Sequence, residues 1–277
     1  MMTKTGAAQS CVLTALVLLA LVGRPARADD DYFSPTNERV RISIGAMHVS
    51  SATTIRVDSS AGVAGTPVNG ESTFGLDRSD FEPKFQAMVR VAARHRLSFD
   101  YFTLDRTGNT IVDSPIVFRD VLLLPGDPLQ SKLSLRTLGL TYGYSFWHGE
   151  KLEIAATLGV HVTDVSAIAK VQSQTRHIIQ TEDQAGPVPT LGIDATWVAS
   201  KRFYFDARAQ YLSVHINDLD GSLGIYELDA LYRIRPNVSF AVGYTDIKAH
   251  LASTQTSKGG LFTFDAKGPV MFFRVAF

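Results

Sequence analysis

The stretch GPVMFFRVAF occupies residues 268–277, and the spacing of its side chains decides how the rest of the chain is read. Met271, Phe273, Val275 and Phe277 fall on one face of an extended strand, opposite Arg274. Period-two alternation of this kind marks a strand with one apolar face. A soluble domain usually finishes in a frayed, solvated end, whereas this segment finishes on an aromatic with no polar tail. The expectation is that it closes a barrel lying in lipid.

Working back from that strand, the same two-faced pattern recurs. VRISIGAM (40–47) sets Val40, Ile42, Ile44 and Ala46 against Arg41, Ser43 and Gly45. KLEIAATLGVHV (151–162) sets Leu152, Ile154, Ala156, Leu158, Val160 and Val162 against Glu153, Thr157, Gly159 and His161. IYELDALYRI (225–234) sets Tyr226, Leu228, Ala230, Tyr232 and Ile234 against Glu227, Asp229 and Arg233. Ten such segments lie near 39–49, 81–92, 95–106, 131–147, 151–166, 185–198, 202–216, 222–234, 238–251 and 263–277. The tight connections ARH (93–95), HGE (148–150), ASK (199–201) and RPN (235–237) alternate with the longer links 50–80, 107–130, 167–184, 217–221 and 252–262.

Short turns on one side and long loops on the other describe a transmembrane barrel. The predicted fold is all-β, a closed antiparallel up-and-down transmembrane β-barrel of about ten strands. Eight would result if two weak segments were rim hairpins, and twelve if 110–130 entered the membrane. The Ser, Gly and Thr-rich link DSSAGVAGTPVNGEST (58–73) reads as solvated. IVFRDVLLLPGDPL (116–129) is too apolar for a free loop and is expected to form a hairpin extending the third and fourth strands.

Composition agrees. Lys4, the apolar run CVLTALVLLALVG (11–23), and Ala26 and Ala28 at the −3 and −1 positions predict a cleaved signal peptide over 1–28. Residues 29–38 are then a short periplasmic leader and 39–277 the barrel domain. The single cysteine, Cys11, lies in the leader, so the mature chain has no disulfide. Lys4, Arg24 and Arg27 go with the leader and no acid does, so the formal charge falls from +0 to −3. That balance, with no basic blocks, excludes a nucleic-acid footprint. No later stretch reaches the ~18 continuous apolar residues of a membrane helix, so any passage through lipid must be as a closed sheet.

Three features turn the apolar face outward. Glycines (Gly45, Gly139, Gly143, Gly159, Gly192, Gly243) sit on the polar face in mid-strand, where they make room for long neighbours. Aromatics gather near strand ends: Phe146, Trp147, Trp197, Phe203, Tyr232 and Phe277 at one level, Tyr101, Tyr211, Tyr226 and Tyr244 at the other. The polar face carries nearly balanced charges, which are expected to form a lumen ionic network of Arg41, Lys84, Arg90, Arg208, Arg233 and Arg274 with Asp100, Glu153, Asp194, Asp206, Glu227 and Asp229. Turning Arg or Lys toward lipid costs about 2–4 kcal/mol each near the midplane, so several would exhaust the stability of a protein.

The leader, the alternating segments and the ending VMFFRVAF resemble those of a bacterial outer-membrane β-barrel protein of the small OmpA/OmpX/OmpW-like class, over about residues 39–277. The resemblance implies location in the bacterial outer membrane and contact with outer-membrane lipid. It also implies that Phe277, with Phe273 and Val275, is the signal read by the barrel-assembly machinery. It implies no activity, because one scaffold serves many functions.

Three function classes remain. A lumen filled by six basic and six acidic side chains suits a structural protein displaying long outer loops, since open channels appear only in wider barrels. A narrow pore for small solutes would use the same charges as pathway lining. A barrel hydrolase would draw on rim residues His48, His161, His215 and His250 with Asp164, Asp218 and Asp246. No G-x-S-x-G or H-E-x-x-H run is present, and Asp77, Asp80 and Glu82 lack the loop spacing of a calcium site. The expectation is a non-enzymatic, loop-displaying barrel with no cofactor, no catalytic or metal residues and no nucleic-acid partner. The sequence does not identify its extracellular ligand.

Overall fold

The computed structural model describes residues 34–172, 177–216, 218–255 and 259–277. The proposed leader with Ala26 and Ala28, and residues 29–33 of the segment after it, lie outside the described residues. A single 3-10 turn, Pro35–Asn37, precedes the sheet, with Ser34 Oγ accepting from the Thr36 amide.

Thirteen strands follow in chain order: β1 (Val40–Val57), β2 (Val68–Asn69), β3 (Ser79–Ala92), β4 (His95–Ile111), β5 (Ile116–Phe118), β6 (Val121–Leu123), β7 (Pro128–His148), β8 (Leu152–Gln172), β9 (His177–Val198), β10 (Phe203–Ile216), β11 (Leu219–Arg235), β12 (Val238–Ser253) and β13 (Gly260–Ala276). Ten of them pair antiparallel in the order β1-β3-β4-β7-β8-β9-β10-β11-β12-β13, and β13 returns to β1 to close the barrel. Strand number is therefore ten, neither eight nor twelve. β2 adds to the far end of β1, and β5 and β6 form a separate hairpin. The tight turns share one end of the barrel, the turn end; the loop end carries the rest.

The strands run well beyond the segments read from sequence. Residues 167–184, taken as a link, are mostly strand, because β8 continues to Gln172 and β9 begins at His177. The apolar 116–129 stretch does form a hairpin over 116–123, while β4 and β7 separately lengthen toward the loop end. One physical reason covers these differences: the alternation persists but its polarity reverses. On β7 the outward residues are Leu138, Leu140, Tyr142, Tyr144 and Phe146 toward the turn end, then Arg136, Ser134 and Lys132 toward the loop end. Inward residues change the opposite way, from Thr141, Gly139 and Thr137 to Leu135, Leu133 and Leu129. β8 reverses between Val162 and Asp164, β4 between Tyr101 and Thr103, β12 between Tyr244 and Asp246, and β13 between Pro269 and Lys267.

The reversals lie at one height. Tyr101 pairs with Leu138, Leu138 with Val162, and Tyr244 with Pro269. From Leu138 to Phe146 is eight residues, roughly 20 Å of barrel height at ~3.3 Å per residue and ~40° tilt. Below the reversal the barrel is apolar outside and mostly polar inside, with Val198, Leu231 and Phe272 as inward apolar exceptions; above it, the order is that of a water-soluble protein.

The loop-end core follows from that inversion. Ile55, Phe74, Leu76, Phe118, Leu123, Leu129 and Leu133 pack together there, and the Phe74 and Phe118 rings meet edge-on at 5.6 Å. The 58–78 connection is thus folded onto the barrel rather than wholly solvated: Val68 and Phe74 enter the core, and Arg106 reaches it from β4. Arg106 Nη2 donates to Glu71 Oε1 at 2.6 Å, Nη1 to Thr53 Oγ1 at 2.7 Å, and Nε to the Asp77 carbonyl at 2.7 Å.

At the closing seam, Gly45 on β1 lies against β13, where a Cβ would stand 2.0 Å from the Met271 carbonyl oxygen and 2.4 Å from Phe272 Cβ. The first of these obstacles is backbone and has little room to give. Gly45→Ala is expected to destabilise the barrel by about 1–3 kcal/mol, the usual cost of overpacking. A lowered gel-shift temperature for the folded form would register it; an unchanged temperature would mean the seam yields freely.

Candidate functional site: the ionic lumen

Polar inward positions toward the turn end converge because each occupies the same parity on neighbouring strands. Glu153, with a fully buried side chain, accepts from Arg90 Nη1 at 2.7 Å and Nη2 at 2.8 Å, a bidentate pair. Ser145 Oγ also donates to it, and Arg96 Nη1 lies 3.6 Å away. Arg96 bonds on to Asp194 at 3.1 Å. Arg208 joins Asp194 at 3.3 Å to Asp100 at 2.9 Å and approaches Glu227 at 4.0 Å. Lys84 Nζ donates to Glu227 at 2.5 Å and Gln86 to its other oxygen at 3.1 Å. This chain of alternating charges crosses the lumen from β3 to β11.

A second group lies toward the closing seam. Asp206 receives Arg274 and, at 3.5 Å, Arg41; Thr196 Oγ1 donates to it at 2.8 Å. Arg274 Nε also donates to Ser43 Oγ at 3.0 Å, and Arg41 Nε to Glu38 at 2.8 Å. The Arg233 guanidinium lies 5.7 Å from the Tyr204 ring centre. Asp229 is buried and its Oδ1 has no hydrogen-bond partner among the described residues.

Sequence reasoning missed Arg96 and Glu38. Arg96 shares the parity of Ser98 and Asp100, but it directly follows the ARH tripeptide read as a turn; Glu38 falls in the stretch read as a leader. His161, a rim residue by the sequence pattern, is buried inside the barrel, where its Nε2 lies 3.3 Å from Gln210 Oε1. A Cβ at Gly139 would sit 2.6 Å from His161 Nδ1, so that glycine makes room for the ring.

The remaining rim histidines do not converge. His215 contacts Asp220 on the exposed outer wall, His250 Nδ1 lies 3.3 Å from Thr263 Oγ1, and the His48 ring packs at a 43° tilt against Phe81, 4.7 Å between centres. Asp164 points outward from β8. Among the described residues no cluster of three or more His, Cys, Asp or Glu could hold a metal ion.

The space left between these side chains is small. A pocket of about 60 Å³ lies among Arg41, Arg96, Asp194, Asp206 and Arg208, and another of about 60 Å³ lies nearer the loop end beside Met47, Phe102, His161 and Phe264. Each holds the volume of about two waters. Above the charges, Met47, Phe102, Leu104, Leu135 and Phe264 form an apolar layer. What the arrangement does chemically is neutralise and hydrogen-bond its own charges.

No protein-family model matches the sequence, and no curated protein does. Solved structures match by shape. The outer membrane protease OmpT from Escherichia coli aligns with a TM-score of 0.55 at 12% identity, covering 90% of this chain and 100% of that one. The transport unit of the autotransporter AIDA-I from Escherichia coli gives 0.42 at 8% identity, covering 97% and 98%. Ail, the attachment invasion locus protein of Yersinia pestis, gives 0.36 at 9% identity, covering 86% and 99%. At these identities the likeness speaks to fold alone. The chain has the fold of the bacterial outer-membrane β-barrel proteins: a closed, antiparallel, ten-strand barrel.

Proposed function

We propose that this protein is an outer-membrane barrel closed to free solute passage, which holds a folded body above the membrane. The observation that carries the reading is the stacking of an ion-paired layer beneath an apolar layer across the same lumen. Hydrated solutes would have to separate buried charge pairs and then cross packed Met47, Phe102 and Phe264. The inverted lower half supports a lipid setting: Leu140, Leu158, Leu228, Met271 and Phe273 are each more than half exposed on its outer wall. A continuous belt of that kind has no stable partner in water. On this reading the turn end faces the periplasm and the loop end the exterior. Residues 1–28 direct export, and Phe273, Val275 and Phe277, which lie on the outward side of β13, are offered to the assembly machinery.

The reading assigns no catalytic role, because His215 and Asp220 face away from the lumen on an open wall. OmpT is a protease by name; nothing in the arrangement of this chain's charges requires chemistry. The test is reconstitution of the mature chain into planar bilayers. The expected result is no steady unitary conductance, and no swelling of liposomes in small sugars. Stable single-channel steps in wild-type protein would overturn the closed-lumen reading and favour a narrow pore.

A further inference from the structure

The loop end contains a larger cavity, of about 330 Å³, that the closed-lumen reading does not use. Its apolar lining includes Ile55 from β1, Leu133 from β7, Val165 from β8 and Phe262 from β13. The polar lining is Arg56, Ser253, Gln255 and the pair Arg119 and Glu182, 3.1 Å apart. Arg119 begins the two-residue turn of the β5–β6 hairpin with φ +54°, a position where glycine is favoured. The chain accepts that strain and directs the side chain across to β9.

We infer that this cavity is a binding site for an uncharged, largely aliphatic small molecule bearing a single hydroxyl or carbonyl group. Three observations set the ligand class. The volume equals that of about eleven waters, room for roughly ten to twelve non-hydrogen atoms and within the range of small-molecule sites. Eight of the lining side chains are apolar, Val57, Ala167, Leu251 and Leu261 adding to the four above, so most of the ligand's surface must be apolar. The cations of the lining are already neutralised, Arg119 by Glu182 and Arg56 by a double contact with Asp58 at 2.9 and 3.4 Å. A carboxylate head would have to break one of those pairs; a neutral hydroxyl would not. The polar head is then left the uncharged side chains of Ser253 and Gln255.

The site rests on the loop-end architecture and not on the closed lumen, so its test is separate from the conductance measurement. Detergent-folded protein transferred to amphipol is titrated calorimetrically with 1-decanol and with decanoate, beside Ala167→Trp, which fills the cavity from β8. Wild type is expected to bind one equivalent of 1-decanol saturably, with decanoate weaker by about tenfold or more, the factor of about 1.4 kcal/mol for disturbing an ion pair. Ala167→Trp is expected to lose saturable binding while keeping the gel shift of the folded barrel. Equal, non-saturable uptake by both proteins would overturn the site. Saturable binding in which decanoate matches or exceeds the alcohol would overturn the ligand class. If Ala167→Trp fails to fold, Val165→Phe takes its place with the same two readings.

Discussion

Arg106→Leu is expected to free the first long loop from the barrel at a cost of about 3–5 kcal/mol, the usual effect of removing one partner of a buried ion pair. The Arg106 side chain is 1% exposed and Glu71 is 4% exposed. Without the guanidinium, Glu71 keeps among the described residues the Thr53 amide, 3.0 Å from Oε2, to offset its charge. The damage should be local, because β1 below Ser50 is held by β3 and β13 whatever residues 58–78 do. Hydrogen exchange should therefore accelerate over 68–77 while the turn-end strands stay protected, and limited proteolysis should cut within 58–78. Replacing both residues, Arg106→Leu with Glu71→Leu, should recover much of the loss, since Phe74 and Leu76 already make the surroundings apolar. Unchanged protection in Arg106→Leu would show that the pair does not hold the loop.

Glu153→Gln should weaken the barrel itself, by a similar ~3–5 kcal/mol. Two guanidiniums, Arg90 and Arg96, converge on this one buried carboxylate with Ser145, and the neutral amide keeps the shape but removes the charge. Arg96 retains Asp194, whereas Arg90 is left, among the described residues, with the carbonyls of Glu38 at 3.2 Å and Ala93 at 3.3 Å. Urea unfolding in lipid vesicles would read the difference. The matched control is Lys132→Gln on the outer wall, whose contact with Asp105 is 3.8 Å long and roughly half exposed; it should cost under about 1 kcal/mol. Equal effects from the two substitutions would mean that the lumen is as well solvated as the surface.

Strand count was legible from local period-two spacing, antiparallel order from the alternation of short and long links, and the direction of the apolar belt from the glycines, aromatics and balanced charges. Ile154, Ala156 and Leu158 announce their shared face without reference to any other strand. Strand length was not legible. The apolar face read from sequence runs out by residue 166, because Asp164, Ser166 and Lys170 occupy outward positions while Val165, Ala169 and Val171 take inward ones. The alternation itself runs on to Gln172; only the side on which it is greasy has changed.

Partner choice inside the lumen was equally out of reach. Parity told that Arg208 and Asp194 face inward, and register alone decides that Arg208 sits opposite Asp194 and reaches Asp100 from across the barrel.

The sequence by itself determined which residues point to which face, since that follows from the pleat of one strand. The tertiary structure alone decided which charges meet, where the polarity turns over and how residues 58–78 fold back on Arg106. Each of these depends on shear and register between strands far apart in the chain, and no single strand carries that information.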